Sequence, residues 1–267
     1  DPWTLLEDRK PEEVSSPFSQ YLEKKMEQSV IQRANAVITT TDNLAEALQA
    51  EDKNSKNKYY VVYNGYDEHD FPPTKPNPKF DDRFTFTYLG SFYRERSPKF
   101  FFLAIRKLID EDLFSFANIK IRLIGNVKTA RGESVQKMAE EFSLEDIVEF
   151  YDFVPYKEAL QYMVYSNVLI LMAPNQYYQI PGKTFEYLAT KNPILALVDE
   201  GATADLIQKL CAGVTVKWSD VSDIKNAVQE LFKTYLNGED KYSQYNQTLF
   251  SRKALTKQLS DIMTQLQ

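Results

Sequence analysis

Apolar positions along the chain fall into two regimes, divided by a proline-rich stretch. In residues 17–35 an i, i+4 stripe, Phe18, Leu22, Met26 and Val30, continued by Ala34, predicts an amphipathic helix. AVITT (36–40) predicts a strand, after which Asp42 or Asn43 can cap a short helix, Asn43 having Glu46 at capping-box spacing. EDKNSKNK (51–58) reads as a solvated loop and YYVVY (59–63) as a strand ended by Asn64-Gly65. The segment 72–83, PPTKPNPKFDDR, holds four prolines and reads as an interdomain linker. Beyond it, apolar runs at 84–89, 119–124, 147–151, 168–172, 193–198 and 214–217 alternate with helical stretches near 98–110, 131–142, 156–166, 181–190 and 203–211. Six such strands predict an α/β fold with a doubly wound parallel sheet covered on both faces. Helices near 220–236 and 251–265 close the chain. In such a sheet ligands bind outside the carboxyl ends of the strands, so the loops 90–97, 125–130, 152–156 and 173–181 are the informative ones.

Composition narrows the function classes. The 267 residues are 43% hydrophobic and 26% charged, ordinary for a globular protein. No apolar run is long enough to span a bilayer, and the polar start, DPWTLLEDRK, without Met, reads as the cut end of a longer chain rather than a signal peptide. A net charge of −6 argues against nucleic acid as the main partner. Cys211, the single cysteine, excludes an intrachain disulfide and fits a reducing compartment. One His and no Cys pair leave no metal-ligand cluster, and His69 has no partner that would make it a base.

The densest chemistry lies in IPGKTFEYLATKNPILAL (180–197), a turn, a short helix and a buried strand. Pro181 suits the first helical position. The amides of Gly182, Lys183 and Thr184 would then point out of the helix start beside a Lys ammonium, an anion site. Glu186, four residues past Gly182, shares its face and leans back toward that end. A carboxylate repels phosphate but accepts two hydroxyl hydrogen bonds, so the pair describes a nucleoside diphosphate: phosphates on the amides, ribose on Glu186. A plain core helix with a proline start accounts for the segment equally well.

The first strand after the linker ends in Gly90-Ser91, followed by FYRERSPK, where Arg94, Arg96 and Lys99 gather near a strand end. Glycine lets backbone approach a phosphate, and Arg grips its oxygens in a planar fork. The alternative is a solvated basic loop; its place at a strand's carboxyl end favours the phosphate reading. The loop is neither GxGxxG nor Walker A, which disfavours a nicotinamide dinucleotide and an ATPase of that type. Gly125-Asn126 is a turn or a ligand contact, Phe153-Val154-Pro155 could offer backbone to a nucleobase edge, and Tyr177-Tyr178 shapes a sugar pocket or simply packs.

In order and spacing, ANAVITTTDNLAEAL, VVYNGYDEHDF, TYLGSFYRERSPK, IKIRLIG, VEFYDFVPYKEALQYM and IPGKTFEYLATKNPIL resemble the carboxyl-terminal half of a GT-B glycosyltransferase of the family-4 type, which transfers sugar from a nucleotide donor with retention. The resemblance covers nearly the whole chain. It implies a remnant of the acceptor-side domain at 1–71, a linker at 72–83, a Rossmann-like nucleotide-sugar-binding domain at 84–250 and a terminal crossover helix at 251–267. By that resemblance Gly90 and Ser91 lie under the diphosphate, Arg96 grips it, Lys183 is a second cation, Glu186 binds the ribose and the Val154 backbone meets the base. Gly182 and Thr184 belong to the same donor site. The sequence departs from the pattern at Tyr178, which stands where the first Glu of an E-x7-E motif is expected beside the donor sugar. Gln179-Ile180-Pro181-Gly182 replaces a Gly-rich stretch, and the usual Arg close behind the first Gly is absent, Arg94 and Arg96 being able to take its place.

The implied activity is metal-independent, cofactor-free transfer of a hexosyl group from a nucleoside-diphosphate sugar to a glycan or lipid-linked acceptor. A bacterial capsule, lipopolysaccharide or exopolysaccharide pathway fits, in the cytoplasm or at the inner face of the membrane, with peripheral membrane contact coming through the missing domain. The isolated segment is expected to be inactive. Two rivals share the fold: a nucleotide-sugar epimerase or hydrolase, and a non-catalytic binding or assembly protein, which Tyr178 keeps open.

Overall fold

The computed structural model describes residues 4–5, 16–52, 57–71, 83–115 and 117–266. Helix α1 (Pro17–Arg33), strand β1 (Val37–Thr39), helix α2 (Asp42–Glu51) and strand β2 (Tyr59–Val61) come first, and β1 pairs with β2 in a separate parallel ladder. Thr41, rather than Asp42 or Asn43, caps α2, because its extended backbone lets the hydroxyl accept the Leu44 amide. The apolar stripe of the expected helix does not face the rest of the described chain. Phe18 and Val30 are 70% and 59% exposed, whereas Glu27 is buried and accepts the Thr4 amide at 3.0 Å. Periodicity located the helix, but the face in contact with the rest of the described chain is the polar one. The expected linker lies outside the described residues except for Arg83.

The main domain alternates as expected: β3 (Phe84–Leu89), α3 (Lys99–Asp110), β4 (Ile119–Ile124), the short strands β5 (Thr129–Ala130) and β6 (Glu133–Ser134), α4 (Val135–Glu141), β7 (Val148–Tyr151), α5 (Tyr156–Val164), β8 (Val168–Ala173), α6 (Lys183–Thr190), β9 (Ile194–Val198), α7 (Ala202–Leu210), β10 (Gly213–Lys217), α8 (Val221–Leu236) and α9 (Arg252–Gln265). The antiparallel pair β5–β6 occupies the start of the stretch expected to be helical from 131. Gly132 there takes a positive φ and Ser134 caps the shortened α4.

Six of these strands form one parallel sheet in the order β10-β9-β8-β3-β4-β7. Counted along the chain this is the 3-2-1-4-5-6 arrangement of a Rossmann-like fold, with its switch point between β3 and β8. Alternate residues of β8 supply both faces. Val168, Ile170 and Met172 pack with α3, α4 and α8; Leu169, Leu171 and Ala173 pack with α5, α6 and α7. Burial on both sides explains why the strands read as unbroken apolar runs. β3 pairs with β4 over six positions but with β8 over only two, Phe86–Val168 and Thr87–Leu169, which leaves their carboxyl ends free to part.

The end of the chain returns to its beginning. The Tyr66 amide donates to the Phe250 carbonyl, the Arg252 amide to the Tyr66 carbonyl, and Gln258 Nε2 to the Val61 carbonyl at 2.9 Å.

Candidate functional site

The site forms where β3 and β8 part. Tyr187, buried on α6, fills the gap: its hydroxyl accepts the Leu89 amide at 3.3 Å and donates to the Ile170 carbonyl at 3.4 Å. This bond seats the start of α6 beside the turn after β3. α6 begins at Lys183, with Gly182 as its cap, so Pro181 lies just before the helix instead of at its first position. The Pro181 carbonyl accepts the Thr184 amide at 2.9 Å in a tight first turn. The Thr184 amide is therefore engaged inside the turn, leaving those of Gly182 and Lys183 to lead the helix. The Thr184 hydroxyl is fully buried and finds no hydrogen-bond partner among the described residues. The helix stops at Lys191 in a left-handed conformation, followed by Asn192-Pro193; Asn192 Nδ2 donates to the Met163 and Val164 carbonyls and ties off the end of α5.

The turn after β3 is held from behind. The Gly90 amide donates to the Ile124 carbonyl and the Phe92 amide to the Asn126 carbonyl, so the β4 turn at Gly125-Asn126 backs the Gly90 loop. Gly90 has φ +141°, and a Cβ there would lie 2.8 Å from Lys183 Nζ. The positive φ favours glycine here, and an added Cβ would also push the flexible Lys183 ammonium aside.

Two cations converge on this turn. Arg96 is 6% exposed, with its guanidinium carbon 4.1 Å from the Tyr93 ring centroid. Lys183 Nζ donates to the Leu89 carbonyl at 2.6 Å and lies 4.2 Å above the Tyr88 ring. Tyr88 stands between them, bonded by Arg96 and donating to the Ser91 carbonyl at 3.0 Å, with burial pushing its phenol up to about 12. Burial first, and the Arg96 charge second, lower the Lys183 ammonium to about 7, with Glu186 partly opposing them. Two cations that repel each other in a desolvated turn favour a bound anion that would offset both charges.

Gly90, Ser91, Arg96, Gly182 and Lys183 line one hollow of about 460 Å³. Gly182, Lys183 and Glu186 line an adjoining hollow of about 610 Å³, and Asn64 borders both. Glu186 Oε1 accepts the Tyr156 hydroxyl at 2.9 Å, and burial with this bond raises the Tyr156 phenol above its usual range. The residues expected to form the anion site, Gly90, Arg96 and Lys183, and the expected carboxylate, Glu186, therefore line neighbouring hollows that share Gly182 and Lys183.

Other expected residues lie elsewhere. Arg94 has φ +54° and is exposed, outside the residues that line either hollow. Val154 is half-buried against the core of the α5–α7 face and lines neither hollow. Tyr178 packs edge-on to Tyr177, and its carbonyl accepts the Thr41 hydroxyl at 2.7 Å. Its neighbours Gln176 and Gln179, with Thr40, reach the Arg96 hollow instead. Local pattern gave no sign of Tyr88, Tyr93, Tyr156, Tyr187, Thr40 or Asn64, which join the site through tertiary contacts.

A family profile described as Glycosyl transferases group 1 matches residues 83–234. No curated protein sequence matches the chain. Among solved structures, the chain is similar to Anabaena HepE in complex with UDP (14% identity, TM-score 0.72, 98% of this chain and 71% of that one). It is similar to sucrose-phosphate synthase from Thermosynechococcus elongatus (18%, 0.68, 95% and 64%). A third is S. aureus TarM, solved with UDP, Fondaparinux and α-GlcNAc-glycerol (13%, 0.66, 96% and 48%). The chain thus spans less than two thirds of the synthase and about half of TarM. Such likeness establishes the GT-B fold, and the profile match over more than half of the sequence establishes the family: this chain belongs to the glycosyl transferases group 1.

Proposed function

We propose that this chain is the donor-binding part of a retaining, metal-independent glycosyltransferase that uses a nucleoside-diphosphate sugar. The observation that carries the reading is the Arg96–Lys183 pair held around the Gly90 turn, with a carboxylate, Glu186, lining the adjoining hollow. The diphosphate sits on the two cations and the leading amides of α6; the ribose hydroxyls bind Glu186, which Tyr156 orients. The sugar lies toward Gln176 and Gln179. UDP is the first nucleotide to try, because HepE and TarM were solved with it.

In the transfer, the bond between the sugar's anomeric carbon and the diphosphate breaks and negative charge builds on the leaving oxygen. Arg96, Lys183 and the α6 amides stabilise that charge as it forms, the role a metal ion plays elsewhere. The acceptor oxygen bonds to the anomeric carbon from the same face and passes its proton to the leaving phosphate, so no side-chain base is required. Residues 84–250 form the donor domain, and 1–71 with the terminal helix belong to the acceptor side. Transfer then needs the rest of the acceptor domain, and steady turnover by this chain alone would contradict that division.

Lys183 gives the reading a pH signature. Free, it loses its proton near 7; a bound diphosphate favours the charged form. Affinity for UDP-glucose is therefore expected to be full below about pH 7 and to fall as pH rises above it. In that upper range binding takes up close to one proton. Calorimetry in buffers of different ionisation enthalpy, with EDTA present, measures both. Flat affinity and no proton uptake would remove Lys183 from the diphosphate site.

A further inference from the structure

A third cleft, of about 730 Å³, opens at the carboxyl ends of β8, β9 and β10. Gln176 lines it and also lines the Arg96 hollow, so the two are neighbours along the loop after β8. We propose that this cleft is a binding site for an oligosaccharide segment, the part of a glycan acceptor that would extend from the acceptor side onto the donor domain.

The lining has the chemistry that hydroxyl-rich ligands require. Tyr177, 42% exposed, offers a ring for the apolar face of a sugar. Asp199 and Glu200 accept hydroxyl hydrogen bonds, and the amides of Gln176 and Gln208 both donate and accept. Two carboxylates against one ammonium, Lys217, make the cleft unsuited to a phosphate, unlike the hollow around Arg96. The volume falls within the usual range for sites that enclose a small molecule and exceeds that of the Arg96 hollow.

The walls are preorganised. Three successive carbonyls of the loop after β8 are fixed: Tyr177 by the Ala202 amide at 2.8 Å, Tyr178 by the Thr41 hydroxyl at 2.7 Å, and Gln179 by the Thr203 hydroxyl at 3.0 Å. The Asn175 amide donates to Asp199 Oδ2 at 2.9 Å, and Gln208 Nε2 donates to Thr215 Oγ1 at 2.7 Å. Gly201, at φ +136°, lets the β9 loop pack directly on Tyr177, where a Cβ would meet backbone at 2.7 Å. A fixed wall lowers the ordering cost of binding a flexible sugar chain.

The acceptor role rests on the donor reading above; the binding site itself does not. Maltotriose, cellotriose and chitotriose are titrated into isotope-labelled protein and followed by amide shifts, with and without saturating UDP. Tyr177→Ala and Glu200→Gln are tested in parallel, the second being a surface change that leaves the fold intact. The expected result is binding of at least one trisaccharide, with shifts in 175–177, 199–200 and 215–217. Each variant should weaken it about tenfold and leave UDP affinity unchanged. Absence of binding by all three while UDP binds overturns the inference and leaves the donor reading standing. Binding that UDP displaces, or that both variants leave untouched, also overturns it. Loss of UDP binding with retained trisaccharide binding overturns the donor reading and leaves the glycan site.

Discussion

If the proposed function holds, Arg96→Ala is expected to reduce turnover of the full-length enzyme by about two to three orders of magnitude. In this chain alone it should weaken nucleotide binding about tenfold to a hundredfold, the worth of a charge-assisted hydrogen bond to phosphate. The larger effect on turnover follows from timing: charge on the leaving diphosphate grows as the bond breaks, so the grip is stronger in the transition state than on the bound donor. Arg96 is placed for this by the Tyr93 ring under its guanidinium and by its bond to Tyr88. A second readout separates this role from a structural one. The Arg96 charge helps to lower Lys183, so removing it should move the alkaline fall in affinity to higher pH. Arg94→Ala, outside the hollows, should change affinity little. Equal losses in the two variants would mean that general positive charge, and not the Arg96 geometry, holds the nucleotide.

Gly125→Ala should be the most damaging single-methyl change near the site. At φ +113° the backbone is one that side chains rarely adopt, and an added Cβ would lie 2.4 Å from the Gly90 carbonyl oxygen. The obstacle is backbone, so no rotamer relieves it. Strain and overpacking together give about 2–4 kcal/mol of destabilisation. That corresponds to a drop in melting temperature of about 5–15 °C. Gly132→Ala isolates the conformational part, since φ is +81° but nothing lies within 4 Å of the added Cβ; it should cost about 1 kcal/mol. On the proposed reading, nucleotide affinity should fall in the Gly125 variant and hold in the Gly132 variant, because of the two only Gly125 backs the Gly90 turn. Equal melting temperatures for the two would show that the β4 turn yields freely.

The sheet was legible because strands buried on both faces leave continuous apolar runs, and β3 (Phe84–Leu89) and β4 (Ile119–Ile124) coincide with the runs expected. Their parallel pairing followed from the intervening helices, which in turn drew attention to the loops after each strand. The conjunction of Gly182, Lys183 and Glu186 was readable because all three lie within about one turn of a single helix. Contacts between elements were not. Arg94 and Arg96 are two residues apart and chemically alike, yet a left-handed residue at Arg94 leaves one exposed and the other buried. Tyr187 looked like ordinary core, and its hydroxyl bridge across the switch point depends on β3 and β8, far away in sequence. The α1 stripe shows the converse: periodicity marks a helix and its apolar face but not what covers that face, and here Phe18, Leu22, Met26 and Val30 stay exposed.

The most direct test of the donor-site account is calorimetric titration of UDP, GDP and ADP, without metal, into the wild-type protein and Glu186→Ala. The account predicts that one nucleotide binds the wild type and that the variant binds it at least about tenfold more weakly, as loss of a carboxylate–diol pair requires. Binding of none of the three, or equal binding to both proteins, would contradict it.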